Sequence, residues 1–191
     1  MLVGKRVLLR AHGNSLDDDW SVVKWRNDPK VKSFFFEEEP LSLNQHLEWV
    51  NKVIQDPNSR YYLIQIFDGE EVGIDIGTIG LSDIDWRNRV AEFGWFLIGE
   101  LKYRSLGYGK EAIFLLLDYA FNHLNLNRIW LQTMTLNESA SVIYRKMGFQ
   151  GEGVLKEQKF KSGKYIDVYI YGLLRGDFNA LREELTEELG L

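Results

Sequence analysis

The segment Arg104-Ser-Leu-Gly107-Tyr-Gly109-Lys110 decides the fold of this chain, because it joins a strand-like run at 91–98 directly to a helix-like run. Its glycines allow a tight turn and the close approach of a ligand to the backbone. Free N–H groups and the positive dipole end at the start of a helix attract phosphate. The spacing fits neither the P-loop nor the strict Gly-x-Gly-x-x-Gly pattern. The segment therefore predicts a diphosphate cradle with Arg104 and Lys110 at its edges, and an ordinary glycine-rich turn is the alternative.

The runs on both sides of this segment predict an α+β fold. Before it we predict a strand at 6–10, helices at 16–27 and 42–55, and a meander of strands at 61–67, 72–81 and 91–98. After it we predict a helix of about fifteen residues, a strand at 128–135, a short helix from Asn137 to Gly148, and a hairpin at 156–160 and 165–174. Helices should therefore flank one mixed sheet.

The length of 191 residues fits a single domain. We expect that domain to span residues 1–175, because no linker or low-complexity stretch interrupts them. Residues 176–191 carry Leu181, Leu185 and Leu189 at four-residue spacing among acidic residues, which predicts an amphipathic C-terminal tail helix.

The composition excludes several classes of protein. Hydrophobic residues make up 45% and charged residues 27%, as in folded globular chains. The net charge of −5 gives no general attraction to nucleic acid or to an anionic membrane, and we expect neither as a partner. The absence of cysteine excludes disulfides, thiolate metal sites and a cysteine nucleophile. With no signal-peptide pattern and no membrane-spanning run, we expect a soluble, cytoplasmic protein.

Three polar residues outside the loop are candidates for chemistry. Glu92 lies one pleat repeat from Gly94, and a glycine inside a strand marks a bulge or the close approach of a ligand. Asn137 heads a short helix, and Tyr144 follows seven residues later. On local grounds Glu92 is equally an exposed strand residue, Asn137 an N-cap and Tyr144 a core aromatic.

The histidines and the acidic segment carry weaker signals. His12, His46 and His123 share no ligand-like spacing, so we predict no metal site. A polar surface position is the default for His46, and a substrate cleft is the alternative. The run Phe34-Phe-Phe-Glu37-Glu-Glu39 can wall a cleft and face a cation, or anchor in the core beside solvated acids.

Two motifs together resemble the GCN5-related N-acetyltransferases, the GNAT superfamily. Arg104-x-x-Gly107-x-Gly109 resembles that family's (Gln/Arg)-x-x-Gly-x-(Gly/Ala) motif. The segment from Asn137 through Tyr144 to Gly148-Phe149 resembles its Asn-x-x-(Ala/Ser)-x-x-x-Tyr-x-x-x-Gly-Phe segment. The resemblance extends over about residues 6–174 with the matching element order.

The resemblance implies an acetyl-CoA-dependent N-acetyltransferase with a central sheet of about seven strands, splayed at the acetyl-CoA site. The diphosphate would lie on the backbone amides of the loop, and the pantetheine arm would pair with the strand that holds Phe96 and Leu97. Asn137 would contact the CoA arm, and Tyr144 would protonate the departing thiolate. The implied cofactor-binding residues are Phe96, Leu97, Arg104, Leu106, Gly107, Tyr108, Gly109, Lys110 and Asn137.

The chemistry of amine acetylation requires a base. With an amine pKa near 10.4, only about one molecule in a few thousand is neutral at pH 7, which costs roughly 4 to 5 kcal/mol. Glu92, acting through water, is the candidate that removes this proton. A strand amide can stabilise the negative charge that develops on the thioester oxygen. Direct attack in a ternary complex needs no covalent enzyme intermediate.

The acceptor is the open question. Trp25-Arg26-Asn27-Asp28-Pro29 and His46-Leu47 resemble amino-sugar N-acetyltransferases, whereas Glu37–Glu39 and the strand around Glu92 resemble spermidine acetyltransferases. Asn27-Asp28-Pro29-x-Val31 is shared with enzymes that acetylate the N-termini of ribosomal proteins. We expect a small-molecule primary amine, with a protein N-terminus or a non-catalytic CoA-binding module as alternatives. GNAT relatives commonly dimerise, so a homodimer is a further expectation.

Overall fold

The computed structural model describes residues 1–13, 15–69 and 71–191. The described residues form an eight-stranded sheet with the order β1-β2-β3-β4-β5-β6-β8-β7. The strands are β1 (Leu2–Val3), β2 (Val7–Ala11), β3 (Arg60–Ile66), β4 (Asp75–Asp85), β5 (Val90–Ile98), β6 (Arg128–Met134), β7 (Gln150–Lys161) and β8 (Lys164–Leu174). Neighbouring strands are antiparallel, with β5 and β6 as the parallel pair.

Three strand predictions differ from the structure. The strand predicted at 72–81 is β4 at Asp75–Asp85, so it begins and ends three to four residues later. The count of about seven misses β1, because two residues are too few to show a period. The last hairpin begins at Gln150 rather than at 156, because β7 pairs with β8 from Gln150↔Gly172 onward. The side chains at the start of β7 are exposed, so they show no apolar alternation. The α+β fold with a mixed sheet is confirmed.

The helices follow the capping signals closely. They are α1 (Leu16–Asn27), α2 (Pro29–Lys32), α3 (Leu43–Gln55), α4 (Tyr108–Asp118), α5 (Glu138–Lys146) and α6 (Arg175–Leu189). The capping box between Ser42 and Gln45 opens α3 as the spacing predicts. Pro29 ends α1 but also opens the short α2, because proline suits the first helical position after the Asp28 cap.

The main core lies on one face of the sheet, under α4, α5 and α6. α4 continues into a π-helical turn, Tyr119–His123, and its buried Ile113, Leu116 and Leu117 pack on the sheet. The tail helix α6 adds Phe178 to this core, where its ring lies 5.2 Å from that of Phe121. Helix α6 therefore contributes to the same core as the sheet.

The opposite face of the sheet is covered by α1 and α3 in two smaller clusters. Trp25 of α1 packs with Leu63 and Leu97, and Val50 of α3 packs with Tyr61. No helix in the described part of the chain is long and apolar enough to cross a membrane.

Candidate active site

A gap opens in the sheet between β5 and β6. The two parallel strands pair through Val90↔Arg128, Ala91↔Ile129 and Glu92↔Trp130. β5 continues to Ile98, but its pairing with β6 stops at Glu92. The backbone of residues 93–98 therefore has a free edge toward β6. This is the splay that the sequence resemblance implies, and it provides polar groups with which an extended amide ligand can pair.

A β-bulge lies in β5 beside this gap. The register changes from Gly80↔Gly94 to Thr78↔Leu97, and Trp95 between them has a φ of 51°. The hydroxyl of Thr78 donates to the carbonyl oxygen of Trp95 at 2.6 Å and holds this conformation. The sequence predicts an irregularity at Gly94, one residue earlier. A Cβ built on Gly94 would meet nothing within 4 Å, so open space adjoins the strand there.

The side chains of Phe96 and Leu97, the two implied cofactor residues of β5, lie on opposite faces of the sheet. Phe96 packs toward the α4 face, where its Cζ lies 3.0 Å from a Cβ built on Gly109. Leu97 is buried on the opposite face beside Trp25. Phe96 can thus contribute both its ring and its backbone to a ligand in the gap, whereas Leu97 can contribute its backbone.

The loop at 104–110 forms a cradle of backbone donors. Gly107 is the N-cap of α4, adopts a left-handed φ of 90°, and makes no side-chain capping bond. The first four N–H groups of a helix lack partners within that helix. The N–H groups of residues 107–110, at the positive end of α4, therefore suit an anionic group. The residues present fit the diphosphate that the sequence analysis expects.

The cations at this cradle differ from those that the sequence indicates. The Lys110 ammonium pairs with Glu188 of α6, so its side chain turns away from the loop. Arg104 Nε donates to the carbonyl oxygen of Ile98 at 2.9 Å and ties the loop to the end of β5. Burial lowers the pKa of Arg104, whose guanidinium is half-buried.

Arg6 is the cation that sequence reasoning missed. Its Nη1 donates to the carbonyl oxygen of Leu106 at 2.9 Å, and its guanidinium lies 5.0 Å from the centroid of the Tyr108 ring. The buried carboxylate of Glu111 holds Arg6 Nε at 3.1 Å. Arg6 precedes the loop by about a hundred residues, so no local pattern reveals this contact.

Tyr144 packs on β5 from α5, and Asn137 caps the start of that helix. The Tyr144 ring packs edge-on to Phe93 of β5, with the centroids 5.7 Å apart, and burial raises the pKa of its phenol. Asn137 Oδ1 accepts from the N–H of Ala140 at 3.2 Å, which is the N-cap alternative. Its side chain is half-buried, so the amide can still face a ligand.

Glu92 lies at the point where β5 and β6 separate, on the face opposite to Phe93. Burial raises the pKa of its carboxyl, and the negative charge of Asp83 on β4 raises it further. The ammonium of Lys159 on β7 acts in the opposite direction. A half-buried carboxyl with a raised pKa is a stronger base than an exposed carboxylate.

The acidic segment at 37–39 lies against the turn between β7 and β8. Glu38 accepts from the N–H and the hydroxyl of Ser162 at 2.9 and 2.8 Å, which fixes the segment to the turn between β7 and β8. The ammonium of Lys159 lies 4.6 Å from the centroid of the Phe36 ring. Lys159 therefore interacts with both the Phe36 ring and the Glu92 carboxyl, and we call the space beside these three residues the Glu92 cleft. Phe35 packs against the cluster around Trp25, and Glu37, Glu38 and Glu39 are exposed, so the alternative of a core anchor beside solvated acids is confirmed for these residues.

Asn27 and His46, two residues of the front-half resemblances, have structural roles in this protein. The side chain of Asn27 both donates to and accepts from the backbone of Leu41 at 2.8 Å, which fixes the start of α3. His46 is 1% exposed, so it is neither a surface histidine nor part of the cleft, and both interpretations of it are wrong. His46 and His12 instead lie beside Asp19, an arrangement that their spacing does not indicate.

Comparisons with known proteins agree with this geometry. A family model described as "Acetyltransferase (GNAT) domain" matches residues 6–150. Spermidine N(1)-acetyltransferase of Vibrio cholerae is 32% identical over 142 residues, which cover 74% of this chain and 79% of the relative. The Escherichia coli K12 enzyme of the same name is 33% identical, covering 73% and 71%. A crystal structure of the Vibrio cholerae enzyme with CoA and spermine matches with a TM-score of 0.80 at 29% identity, covering 91% of this chain and 98% of that one.

Proposed function

The chain belongs to the GNAT acetyltransferase family, and on that premise we propose that it acetylates a primary amine of a polyamine. It is an N-acetyltransferase that uses acetyl-CoA and acts on a small-molecule amine. Spermidine is the acceptor named for the two curated relatives above. The choice of a polyamine rests on the cleft beside Glu92, and the roles of individual residues are part of the proposal.

The cradle at the start of α4 would hold the CoA diphosphate. The N–H groups of residues 107–110 would donate to it, and Arg6 would supply the nearby positive charge. The pantetheine arm would pair with the free edge of β5 at Phe96 and Leu97. Asn137 would contact the same arm. Leu106, Tyr108 and Gly109 would line the loop, with Arg104 keeping it attached to β5.

Two side chains would move protons during the transfer. Glu92 would accept the ammonium proton through a water molecule, since its raised pKa makes it a stronger base than an exposed carboxylate. The neutral amine would attack the thioester carbon directly and displace the thiolate. Tyr144 would then protonate that thiolate, because burial keeps its phenol in the protonated form until the charge develops. The proton that the attacking nitrogen loses as it becomes an amide would restore the Tyr144 phenol. The backbone beside the Trp95 bulge would stabilise the oxyanion.

One observation carries the choice of a polyamine: the cleft already holds an alkylammonium group of the protein. The Lys159 ammonium lies over the Phe36 ring and within the field of Glu92. An aromatic face and a carboxylate together favour a cation in the same place. Asp83 adds a second negative charge near Glu92. An acceptor with several ammonium groups gains from each of these charges, whereas a neutral or anionic amino sugar does not.

A panel of amines tests this assignment. The full-length protein is incubated with acetyl-CoA and spermidine, spermine, a UDP-amino sugar or a peptide with a free N-terminus, and thiol release is measured. We expect the two polyamines to exceed the others in kcat/KM by at least about a hundredfold, or about 2.7 kcal/mol. Higher kcat/KM for the amino sugar or the peptide would contradict the proposal.

The variant Asp83→Asn, with Asp68→Asn in an exposed turn as control, tests the charge argument. Asp83→Asn should raise KM for spermidine by about threefold to tenfold but leave KM for a monoamine unchanged, because the monoamine lacks the additional charges. The control should change neither. Equal effects of Asp83→Asn on both amines would show that Asp83 does not recognise charge.

Three further expectations remain proposals. A cytoplasmic location fits the use of acetyl-CoA and is testable by fractionation. A homodimer is testable by light scattering of the purified chain. The division into a domain at 1–175 and a tail at 176–191 is testable by deleting the tail and measuring the stability of the remainder.

A further inference from the structure

We propose that His12, Asp19 and His46 form a binding site for one divalent transition-metal ion, with Zn²⁺ as the best fit. The three residues come from the segment after β2, from α1 and from α3. The three side chains are buried, and none of them belongs to the loop at 104–110. The function of such an ion would be structural.

The ligand atoms are close together and buried. Asp19 Oδ1 lies 3.0 Å from His12 Nε2 and 3.1 Å from His46 Nε2, and the three side chains are at most 3% exposed. One potential ligand atom from each residue lies within 4.8 Å of the others. Ligands on one tetrahedral Zn²⁺ are about 3.3 Å apart, given bonds of about 2.0–2.1 Å. Movements of less than about 1 Å by each imidazole would complete that geometry.

The directions of the polar atoms favour a metal over a hydrogen-bonded triad. Among the described residues, neither ring nitrogen of His46 nor Asp19 Oδ1 has a hydrogen-bond partner, although Nε2 and Oδ1 are 3.1 Å apart. The two atoms are near each other, but the N–H direction does not point at the oxygen. Atoms that surround a common ion have this relation, because each points toward the ion rather than toward its neighbour. Polar atoms left unsatisfied in the interior are otherwise costly.

The arginine nearest in sequence to the cluster does not neutralise the Asp19 carboxylate, because it is paired with other carboxylates. The neighbouring Asp18 is already paired with Arg10, whose Nη2 lies 2.6 Å from Asp18 Oδ1. Arg10 also pairs with Asp75. In the described part of the chain, no arginine or lysine forms an ion pair with Asp19. A buried carboxylate is costly unless it is paired or ligates a metal.

The donor set selects the class of ion. Two imidazoles and one carboxylate suit Zn²⁺, and Co²⁺ takes similar sites, whereas Mg²⁺ and Ca²⁺ prefer oxygen ligands. Three protein ligands leave a fourth position for water. A surface depression lined by His12, Asn51 and Ser59 gives the ion an entry path. The bound ion would connect α1 and α3 to the end of β2.

Metal binding to the full-length protein tests the proposal. The purified chain is treated with a chelator, dialysed, and titrated with Zn²⁺ alone by calorimetry and with Co²⁺ alone by visible absorption. We expect one Zn²⁺ per chain with a Kd below about 1 µM, d–d bands of tetrahedral Co²⁺, and a higher melting temperature with Zn²⁺. A Kd weaker than about 100 µM, with no tetrahedral bands, would overturn the proposal.

Paired variants separate this site from surface binding. His46→Gln should weaken Zn²⁺ binding by at least a hundredfold, because a ligand is lost and even outer-shell changes cost about tenfold or more. His123→Gln makes the same change at an exposed histidine and should leave the affinity unchanged. Equal affinity in both variants would refute the assignment. Because His46→Gln can also destabilise the fold, its circular dichroism is checked, and the titration of the unmodified chain decides the question by itself.

Discussion

At the scale of single residues, burial is the main cause of the raised pKa values of Tyr144 and Glu92. Burial alone accounts for the raised pKa of Tyr144. For Glu92, burial comes first and the charge of Asp83 second. Both groups are therefore biased toward their protonated forms before substrates bind. A bound ammonium would oppose that bias at Glu92, because a nearby positive charge favours the carboxylate.

The substitution Tyr144→Phe removes the phenol and keeps the ring packed on Phe93. We expect kcat to fall by about a hundredfold or more, because the thiolate loses its proton donor. Acetyl-CoA affinity, measured by calorimetry, should stay unchanged. Tyr165→Phe is the matched control, since the Tyr165 ring is exposed on β8. Turnover of Tyr144→Phe within about threefold of the unmodified enzyme would show that Tyr144 is not the acid.

The substitution Glu92→Gln tests the base through the pH profile of kcat/KM. Because the base acts when deprotonated, kcat/KM should rise with pH through the raised pKa of Glu92. Glu92→Gln should abolish this rise, which forms the acidic limb of the pH profile. Asp83→Asn should move the limb to lower pH. The exposed Glu138→Gln serves as control. An unchanged profile in Glu92→Gln would remove Glu92 from the mechanism.

The same pKa shift gives a prediction for stability. A carboxyl whose pKa is raised by folding contributes stability below its unfolded pKa, and that contribution is lost as pH rises through the folded pKa. At neutral pH, Glu92→Gln should therefore raise the melting temperature of the protein, and the gain should disappear below about pH 4. Melting curves at several pH values measure this, and a lower melting temperature at pH 7 would contradict it.

At the scale of elements, a strand, a bulge and a helix start build the site together. The bulge at Trp95 changes which side chains of β5 face α4, and the strand leaves its partner β6 just before it. The loop then returns the chain to this edge and begins α4 with four N–H groups free of helical partners. The acyl carrier can thus lie between a strand edge and a helix end.

Gly107→Ala tests the cradle, with Gly163→Ala as a matched control. Both glycines have left-handed φ values, 90° and 79°, so alanine should cost a similar 1–2 kcal/mol or so at each. A Cβ at Gly107 would also meet Arg6 Nη2 at 2.8 Å, whereas Gly163 has open space. We expect Gly107→Ala to weaken acetyl-CoA binding by about tenfold and Gly163→Ala to leave it unchanged. Equal acetyl-CoA affinities in the two variants would argue against the cradle.

At the scale of the whole molecule, the tail helix and the sheet share one core. The buried Phe178 ring lies 5.9 Å from Phe114 and 5.2 Å from Phe121, both on the α4 side. Glu188 of the same helix pairs with Lys110, the last residue of the loop. Helix α6 therefore stabilises α4 through the packing of Phe178 and the ion pair between Glu188 and Lys110.

Phe178→Ala should lower the free energy of unfolding by about 3–5 kcal/mol, because it leaves a cavity in the main core. Leu191→Ala, at a position that is 39% exposed, should change it by less than about 0.5 kcal/mol. Urea denaturation measures both values. A loss below about 1 kcal/mol for Phe178→Ala would mean that the tail contributes little to the core.

The sequence by itself determined most of the helices and strands and the turn at Gly107, because those depend on contacts within a few residues. The Ser42–Gln45 capping box, the Gly107 turn and the Asn137 N-cap each form between near neighbours along the chain. The helical and strand periods predict the buried faces in the same way. The two motifs that carry the family resemblance are likewise local segments.

Only the tertiary structure decided which distant groups meet. The register of the sheet brings Arg6 to Leu106 and turns Lys110 to Glu188, and neither pairing has a signal in the sequence. The packing of α1 and α3 on the sheet gathers His12, Asp19 and His46. These contacts depend on the strand register and on how helix faces pack on the sheet. A sequence pattern contains information only on interactions between residues that are near each other along the chain.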